Sequence, residues 1–440
     1  MKLLSFCLLC ACGLLTAAKI FPYPYVQKDL PNGLRVVTIP TEYPNIVALV
    51  IVVQTGSRNE VEPGKSGFAH LFEHLMFRGT KEFPPDKYQA ALKNAGAAAN
   101  AFTTDDFTAY HATFSKEDLP GVLHMEADRF EHLQYDPAAF KTETLAVLGE
   151  YNKNSASPAQ KLFETLRKTA FQEHTYKHTT MGFLQDVQNM PREYDYSLTF
   201  FQRYYRPEYT TIIVAGDVDP RSVQSLVEKD WGNWKPGSYK PDIPAEPPQS
   251  GPRTAHVDWP NPTLPFVAVA YRSPAYSDDI PDLAALDAIG FLGFSPSSDL
   301  YRKLVIQERK VDSLGSDNRD HVDPSLITII ARVKKPEDLG TVQDDILATV
   351  KGFSAGPVDA DRLERVKSNL RYSFALRMDN SEAIAQTVAS YVALRRTPET
   401  INRLYDLYAK LTPADLERAA RKYLTPNNRT IVTLTGATSK

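Results

Sequence analysis

The chain has 440 residues, 42% hydrophobic and 23% charged, and its 50 basic and 53 acidic side chains leave a net charge of −3. That length holds two ordinary domains with full cores, and the composition is that of a soluble globular protein rather than a disordered or fibrous one. No basic run or basic–aromatic interleaving is present, so nucleic acid is not an expected partner.

The N-terminus reads as an export signal. Met1-Lys2 gives a positive start, Leu3 to Leu15 an apolar core, and Thr16-Ala17-Ala18 small residues for cleavage before Lys19. Residues 1–18 are therefore expected to be removed, leaving a periplasmic or secreted chain. No later stretch approaches the ~20 apolar residues of a transmembrane helix, so no membrane-spanning segment is expected. Cys7, Cys10 and Cys12 all fall in this segment, and a chain beginning at Lys19 can form no disulfide. Lipidation at Cys12 is the competing reading, with Leu9-Cys10-Ala11 a poor approach to it.

The mature chain opens with β-like runs. Leu34 to Ile39 follows the turn signal Pro31-Asn32-Gly33, and Asn45 to Gln54 is so rich in β-branched residues that it predicts a strand buried on both faces. Gly56 breaks that run. A helix then begins near Ser66, read as its N-cap, and ends by Gly79.

This helix carries His70-Leu71-Phe72-Glu73-His74. The two histidines stand four residues apart, so their imidazoles leave one helical face about a turn apart and can share one divalent cation, zinc above all. Glu73 is placed to reach a metal-bound water as general base, the H-x-x-E-H pattern of inverted zincins. The plainer reading is an amphipathic helix whose Phe68, Leu71, Phe72, Leu75 and Phe77 pack a core.

Asp86 to Asn94 reads as a short helix. Ala97 to Phe102 and Phe107 to Phe114 form a hairpin-like pair, and Lys116 to Leu133 is helical, with His124 and His132 read as surface or packing residues. The helix from Ala138 to Asn154 holds Glu143 and Glu150 on one face. One can ligate a metal while the other orients a ligand, or both can line a solvated edge. Helix Lys161 to Phe171, the loop His174 to His178, and the strand from Thr211 to Val218 complete the first half. Six prolines between Trp234 and Pro252 mark a linker, assigned to 236–252. Beyond it the order repeats in outline: a strand at Arg253 to Asp258, another at Pro265 to Tyr271, then a helix from about Asp279 to Leu292. The last third is expected to be helical up to a final strand at Thr430 to Leu434. A weak internal duplication is the reading.

The stretch GSRNEVEPGKSGFAHLFEHLMFRGT resembles the start of the pitrilysin/insulinase family of metallopeptidases, which includes the mitochondrial processing peptidase. The resemblance implies an α+β fold of two homologous domains, each a mainly antiparallel sheet packed with helices, enclosing a chamber. Residues 19–235 would be the zinc-bearing catalytic domain and 253–440 a second, metal-free one. It further implies one Zn2+ per chain, with His70, His74 and Glu150 as ligands, Glu73 as general base and Glu143 behind the ligands. Ala99, Asn100, Ala101 and Phe102 would lie on an exposed sheet edge that a peptide substrate joins as an extra strand. Active single-chain members carry an Arg and a Tyr in the second half that hold the scissile carbonyl. Here alignment puts Val305 and Asp312 at those places, with Arg302 and Arg309 nearby. The implied protein is a zinc endopeptidase for unstructured peptides, a homodimer or a heterodimer whose homologous partner supplies the Arg/Tyr pair. The alternatives are a structural or peptide-binding subunit of a larger assembly.

Overall fold

The computed structural model describes residues 19–437. The export-signal reading and the three cysteines lie outside the described residues.

The predicted β-branched runs become the centre of a six-stranded sheet. Its strands are β1 (Val26–Asp29), β2 (Arg35–Pro40), β3 (Ile46–Val53), β4 (Ala98–Thr103), β5 (Thr108–Ser115) and β6 (Thr210–Gly216), ordered β1-β2-β6-β3-β5-β4. A second sheet holds β7 (Arg253–Trp259), β8 (Phe266–Arg272), β9 (Val311–Asp317), β10 (Leu326–Val333) and β11 (Arg429–Gly436), ordered β7-β11-β8-β10-β9. Only β2/β6 and β7/β11 run parallel; the other pairs are antiparallel. Without β1, the two sheets match strand for strand in order and sense.

Strands β9 and β10 correct the expectation that the last third is helical. The β10 sequence LITIIARV is β-branched and pairs with both β8 and β9. By contrast β9, VDSLGSD, is polar and glycine-containing, and it forms because β10 offers it a ladder, tertiary pairing overriding propensity.

Each sheet is covered by a helix from the other half. Ser381–Arg395 packs on β3 and β6, its Ile384, Ala385 and Val388 sharing a core with Ala48, Val50 and Val52. The opposite face of β3 takes Phe68, Leu71 and Phe72, which is why this strand is apolar without alternation. Reciprocally, Pro158–Ala170 lays Leu162 and Leu166 against Ala268, Ala270, Val432 and Leu434 of the second sheet.

Charges tie the halves at one end of this seam. Asp105, at the β4–β5 turn, accepts two 2.7 Å bonds from the Arg167 guanidinium and lies 3.0 Å from His321 Nε2 of the second half. Burial works to raise its carboxyl, but Arg167 and His321 prevail and hold it well below the usual carboxylate range. The proline-rich segment is anchored too. Glu246 accepts backbone N–H bonds from Gln172, Glu173 and His174 and pairs with Arg272 at 2.6 Å.

Candidate metal centre

The H-x-x-E-H residues form the helix Phe68–Leu75, whose Phe68, Leu71, Phe72 and Leu75 are buried against β3 and β5. Its start differs from the expectation. Ser66 is not the N-cap: Gly67 is, with φ +92°, and no side chain caps it locally. The Ser66 hydroxyl turns instead to Asp186 at 2.6 Å and receives the Phe183 N–H at 2.8 Å. The N–H groups at the helix start, which have no partner within the helix, go to Glu60, fully buried, whose two carboxyl oxygens each accept a 2.7 Å bond, from Gly67 and from Ala69. Burial pushes the Glu60 carboxyl well up, and those two N–H bonds pull against it. A side chain seven residues upstream thus fixes the end of the metal-motif helix.

One turn on, the helix delivers both imidazoles to one point. Glu150 comes from helix Pro137–Ser155, and its Oε2 lies 3.5 Å from His70 Nε2 and 3.5 Å from His74 Nε2. The three donor atoms lie within 4.8 Å of one another. Ligand atoms about 2.1 Å from a tetrahedral ion stand roughly 3.4 Å apart, so this donor set fits zinc in both chemistry and spacing. Burial first, and the His74 charge second, press His70 below its ordinary value against the pull of Glu150, favouring the neutral imidazole that a metal needs.

Glu143 sits behind the cluster. Its Oε2 is 3.4 Å from His74 Nδ1, the nitrogen turned away from Glu150, and its other oxygen pairs with Arg78. That is the carboxylate–histidine arrangement that orients a metal-binding ring. The Nδ1 of His70 is buried and has no hydrogen-bond partner among the described residues.

Glu73 stays out of the ligand cluster. Burial raises its carboxyl, and the Thr103 hydroxyl, donating to Oε2 at 2.7 Å, pulls it back. Thr103 ends β4, the terminal strand of its sheet, which carries the other expected residues. Ala99 and Asn100 are exposed, Ala101 is buried, and Phe102 packs edge-on to Phe107 at 5.8 Å. The Ala101 N–H is taken by the side-chain oxygen of Asn100 at 2.9 Å. A backbone donor satisfied by its neighbour's amide is not part of the ladder to β5, so it is one that an added strand can claim.

Beside the cluster, a cavity of about 920 Å³ opens between the halves. Phe102, Thr103 and Asn154 line it on one side, and Arg319, Asp320 and Tyr391 on the other. Neither Val305 nor Asp312 borders it: Val305 packs on the second core and Asp312 pairs with Arg332 at 3.4 Å. The histidines of the 174–178 loop are structural, His174 bonding Asp323 at 3.0 Å and His178 lying buried with Nδ1 3.0 Å from the Thr179 carbonyl. His124 and His132 are exposed, beside Asp230 and Asp128.

Sequence reasoning did not find Glu60, Arg78 or Thr103. The only local signal was the G-S-R-N-E turn before the helix, since all three act through contacts that exist only after folding.

Comparison with known proteins gives the same address. Residues 35–183 match the insulinase family, peptidase family M16, and residues 193–370 match the peptidase M16 inactive domain. The chain is 30% identical to the zinc protease PqqE of Helicobacter pylori over 438 residues, 98% of this chain and 97% of that one. It is 26% identical to a probable mitochondrial-processing peptidase subunit beta of Schizosaccharomyces pombe, covering 90% of this chain and 88% of the relative. A crystal structure of a protease from Helicobacter pylori superposes with TM-score 0.87 at 30% identity, covering 94% of this chain and 99% of that one.

Proposed function

The chain belongs to peptidase family M16, the insulinase family, and from that premise we propose that it is a zinc-dependent endopeptidase that cuts unstructured peptides. The reading rests on one observation, the convergence of His70, His74 and Glu150 with Glu73 alongside. We take 19–235 as the zinc-bearing domain and 253–440 as its metal-free counterpart, joined through 236–252.

His70, His74 and Glu150 would hold the zinc, which would supply Lewis acidity to a peptide carbonyl and lower the pKa of a water toward neutral pH. Glu73 would take the proton of the attacking water and return it to the amine that leaves. Glu143 and Arg78 hold the His74 ring in the orientation the metal requires. The substrate lies as a strand along Ala99, Asn100, Ala101 and Phe102, giving a carbonyl to the Ala101 N–H in place of the Asn100 side chain. Only an extended backbone can do this, and a cavity of about 920 Å³ does not admit a folded domain.

Donors for the developing oxyanion are not at Val305 or Asp312, and lacking one such donor typically costs on the order of 10²–10³ in rate. We therefore assign the chain as the zinc-bearing member of a two-chain peptidase, a homodimer or a heterodimer with a homologous chain supplying the Arg/Tyr pair. The compartment is the periplasm or the exterior.

The test is hydrolysis of a set of unstructured peptides by residues 19–440, with zinc content measured in parallel. Chelator-sensitive cleavage that disappears in Glu73→Gln while about one zinc per chain stays bound is the expected result. A chain that binds no zinc would overturn the reading. A chain that binds zinc and cuts only with a homologous partner present supports the two-chain form.

A further inference from the structure

The proposed mechanism leaves one contact unexplained, that between the general base and the strand meant to receive the peptide. Glu73 is a partly buried carboxylate on a long, flexible side chain, and its described side-chain partner is the Thr103 hydroxyl at 2.7 Å. Thr103 is the last residue of β4 and pairs with Thr108 of β5, so its backbone is fixed by the sheet. It also lines the cavity between the halves, together with Phe102. The hydroxyl therefore connects a strand paired in the sheet to the acid, at the end of the edge that a substrate would extend.

The second half repeats the two elements with an amide in place of the hydroxyl: Asn318, the residue after β9, donates to the Asp287 carboxyl of its helix at 2.5 Å. Its helix at the same place in the order, Asp282–Phe294, lies against β9, where a Cβ built on Gly290 would come within 2.7 Å of the Ser316 hydroxyl oxygen. There the strand hydroxyl faces a glycine; in the first half it faces the base. A helix carboxyl held from the end of the edge strand thus recurs in both halves, by a hydroxyl on Glu73 in the first and by an amide on Asp287 in the second.

We propose that Thr103 is a positioning residue that holds the Glu73 carboxylate at its working place and registers it against the peptide-binding edge. This rests on the peptidase reading above. With the donor in place, one carboxyl oxygen is committed to Thr103 and the other is left to face the metal centre. Without it the side chain gains rotamers, and a misplacement of about 1 Å at a catalytic group is enough to cost on the order of 10² in rate.

Thr103→Val removes the donor and keeps the β-branched shape that suits a strand. The expected result is a kcat about 10- to 100-fold lower, with KM within about twofold and zinc content unchanged. Thr103→Ser should recover most of the rate, and Thr103→Val added to Glu73→Gln should cost nothing more. Crystal structures of the zinc-loaded variants supply a readout independent of turnover: Glu73 in one rotamer in wild type and Thr103→Ser, and in several or a different one in Thr103→Val. A fall confined to KM, an additive loss in the double variant, or an unmoved Glu73 in Thr103→Val would each overturn the proposal. If the zinc-loaded wild type cuts no peptide, alone or with a homologous partner chain, the peptidase reading fails, and the Glu73 rotamer alone still decides whether Thr103 positions it.

Discussion

The two halves share strand order and strand sense, but the helices that follow β3 and β8 have opposite characters. In the first half, FAHLFEHL presents a polar stripe holding His70, Glu73 and His74. In the second, DLAALDAIGFLGF is buried on nearly every side, with Leu283, Leu286, Ile289 and Leu292 all in the core and no histidine. Its two carboxyls, Asp282 and Asp287, are taken up by Lys422 and Tyr423 and by Asn318 and Tyr408, so this helix serves the core and not a ligand set. The architecture is duplicated while the chemistry is not: a shared fold supplies the place, and a few side chains make it a site.

The strongest way to break the contrast is to make the first helix resemble the second. His74→Leu removes a ligand and puts an apolar residue on that stripe. Bound zinc should fall away and peptide hydrolysis should drop by at least about 10³-fold, because the ion and the water it activates are lost together. The thermal midpoint measured in chelator, where neither protein holds metal, should barely move, since His74 is only partly buried. A large loss of stability in chelator would instead mean that the histidine is part of the core.

A second test concerns what the halves share rather than how they differ. Because Ser381–Arg395 and Pro158–Ala170 are exchanged across the seam, neither sheet is covered on both faces without the other half. Asp105→Ala would leave the Arg167 guanidinium buried without its bidentate partner and His321 without its acceptor. Breaking one side of a buried pair costs about 3–5 kcal/mol, and here the loss should appear as a single unfolding transition moved down in urea. Two separate transitions would show that the halves fold independently.

Histidines near that clamp shift in opposite directions. Burial presses His178, in the first half, down to about 4. His321, across the seam, is also buried, but Asp105 and Asp106 outweigh that and raise it. Between pH 6.5 and 4 the unfolded chain protonates His178 while the folded chain does not. Stability from His178 is therefore complete above pH 6.5 and is lost as pH falls toward 4, by up to about 3 kcal/mol. The His321 contribution has the other sign: complete below pH 6.5, it is lost as pH rises through the raised folded value. Urea unfolding from pH 4 to 8 should show His178→Asn flattening the acid side of the profile and His321→Asn the alkaline side. Both variants altering the same side would contradict the assignment.

Legibility in the sequence followed the range of each interaction. The paired histidines and Glu73 lie within one helical turn, so spacing alone exposed them. Glu150 came only through family resemblance, because nothing local separates it from Glu143 on the same helix face. Glu60, Arg78 and Thr103 were missed for the same physical reason: each meets its partner after a turn, a helix or a strand has been placed. Exchange of the covering helices was equally hidden. Ser381–Arg395 is apolar on more than one face, which its own half does not explain and the first sheet does. Strand β9 was overlooked because its sequence is polar and its ladder partner supplies the order.

The finest comparison is at a close approach of helix and edge strand in the second half. A Cβ on Gly290 would meet the Ser316 hydroxyl oxygen at 2.7 Å, too close to stand, yet the next atom, Ser316 Cβ, is 3.5 Å away, an ordinary contact. Ser316 is exposed, so its hydroxyl can rotate toward solvent at little cost. Against that small penalty, replacing a mid-helix glycine by alanine gains up to about 1 kcal/mol of helix propensity. Gly290→Ala should therefore change stability by no more than about 0.5 kcal/mol in either direction, and Gly290→Ala with Ser316→Ala should be slightly more stable than wild type. A loss above about 2 kcal/mol in both variants would mean that the backbones themselves are in contact, and that the second helix sits closer to its strand than the first does.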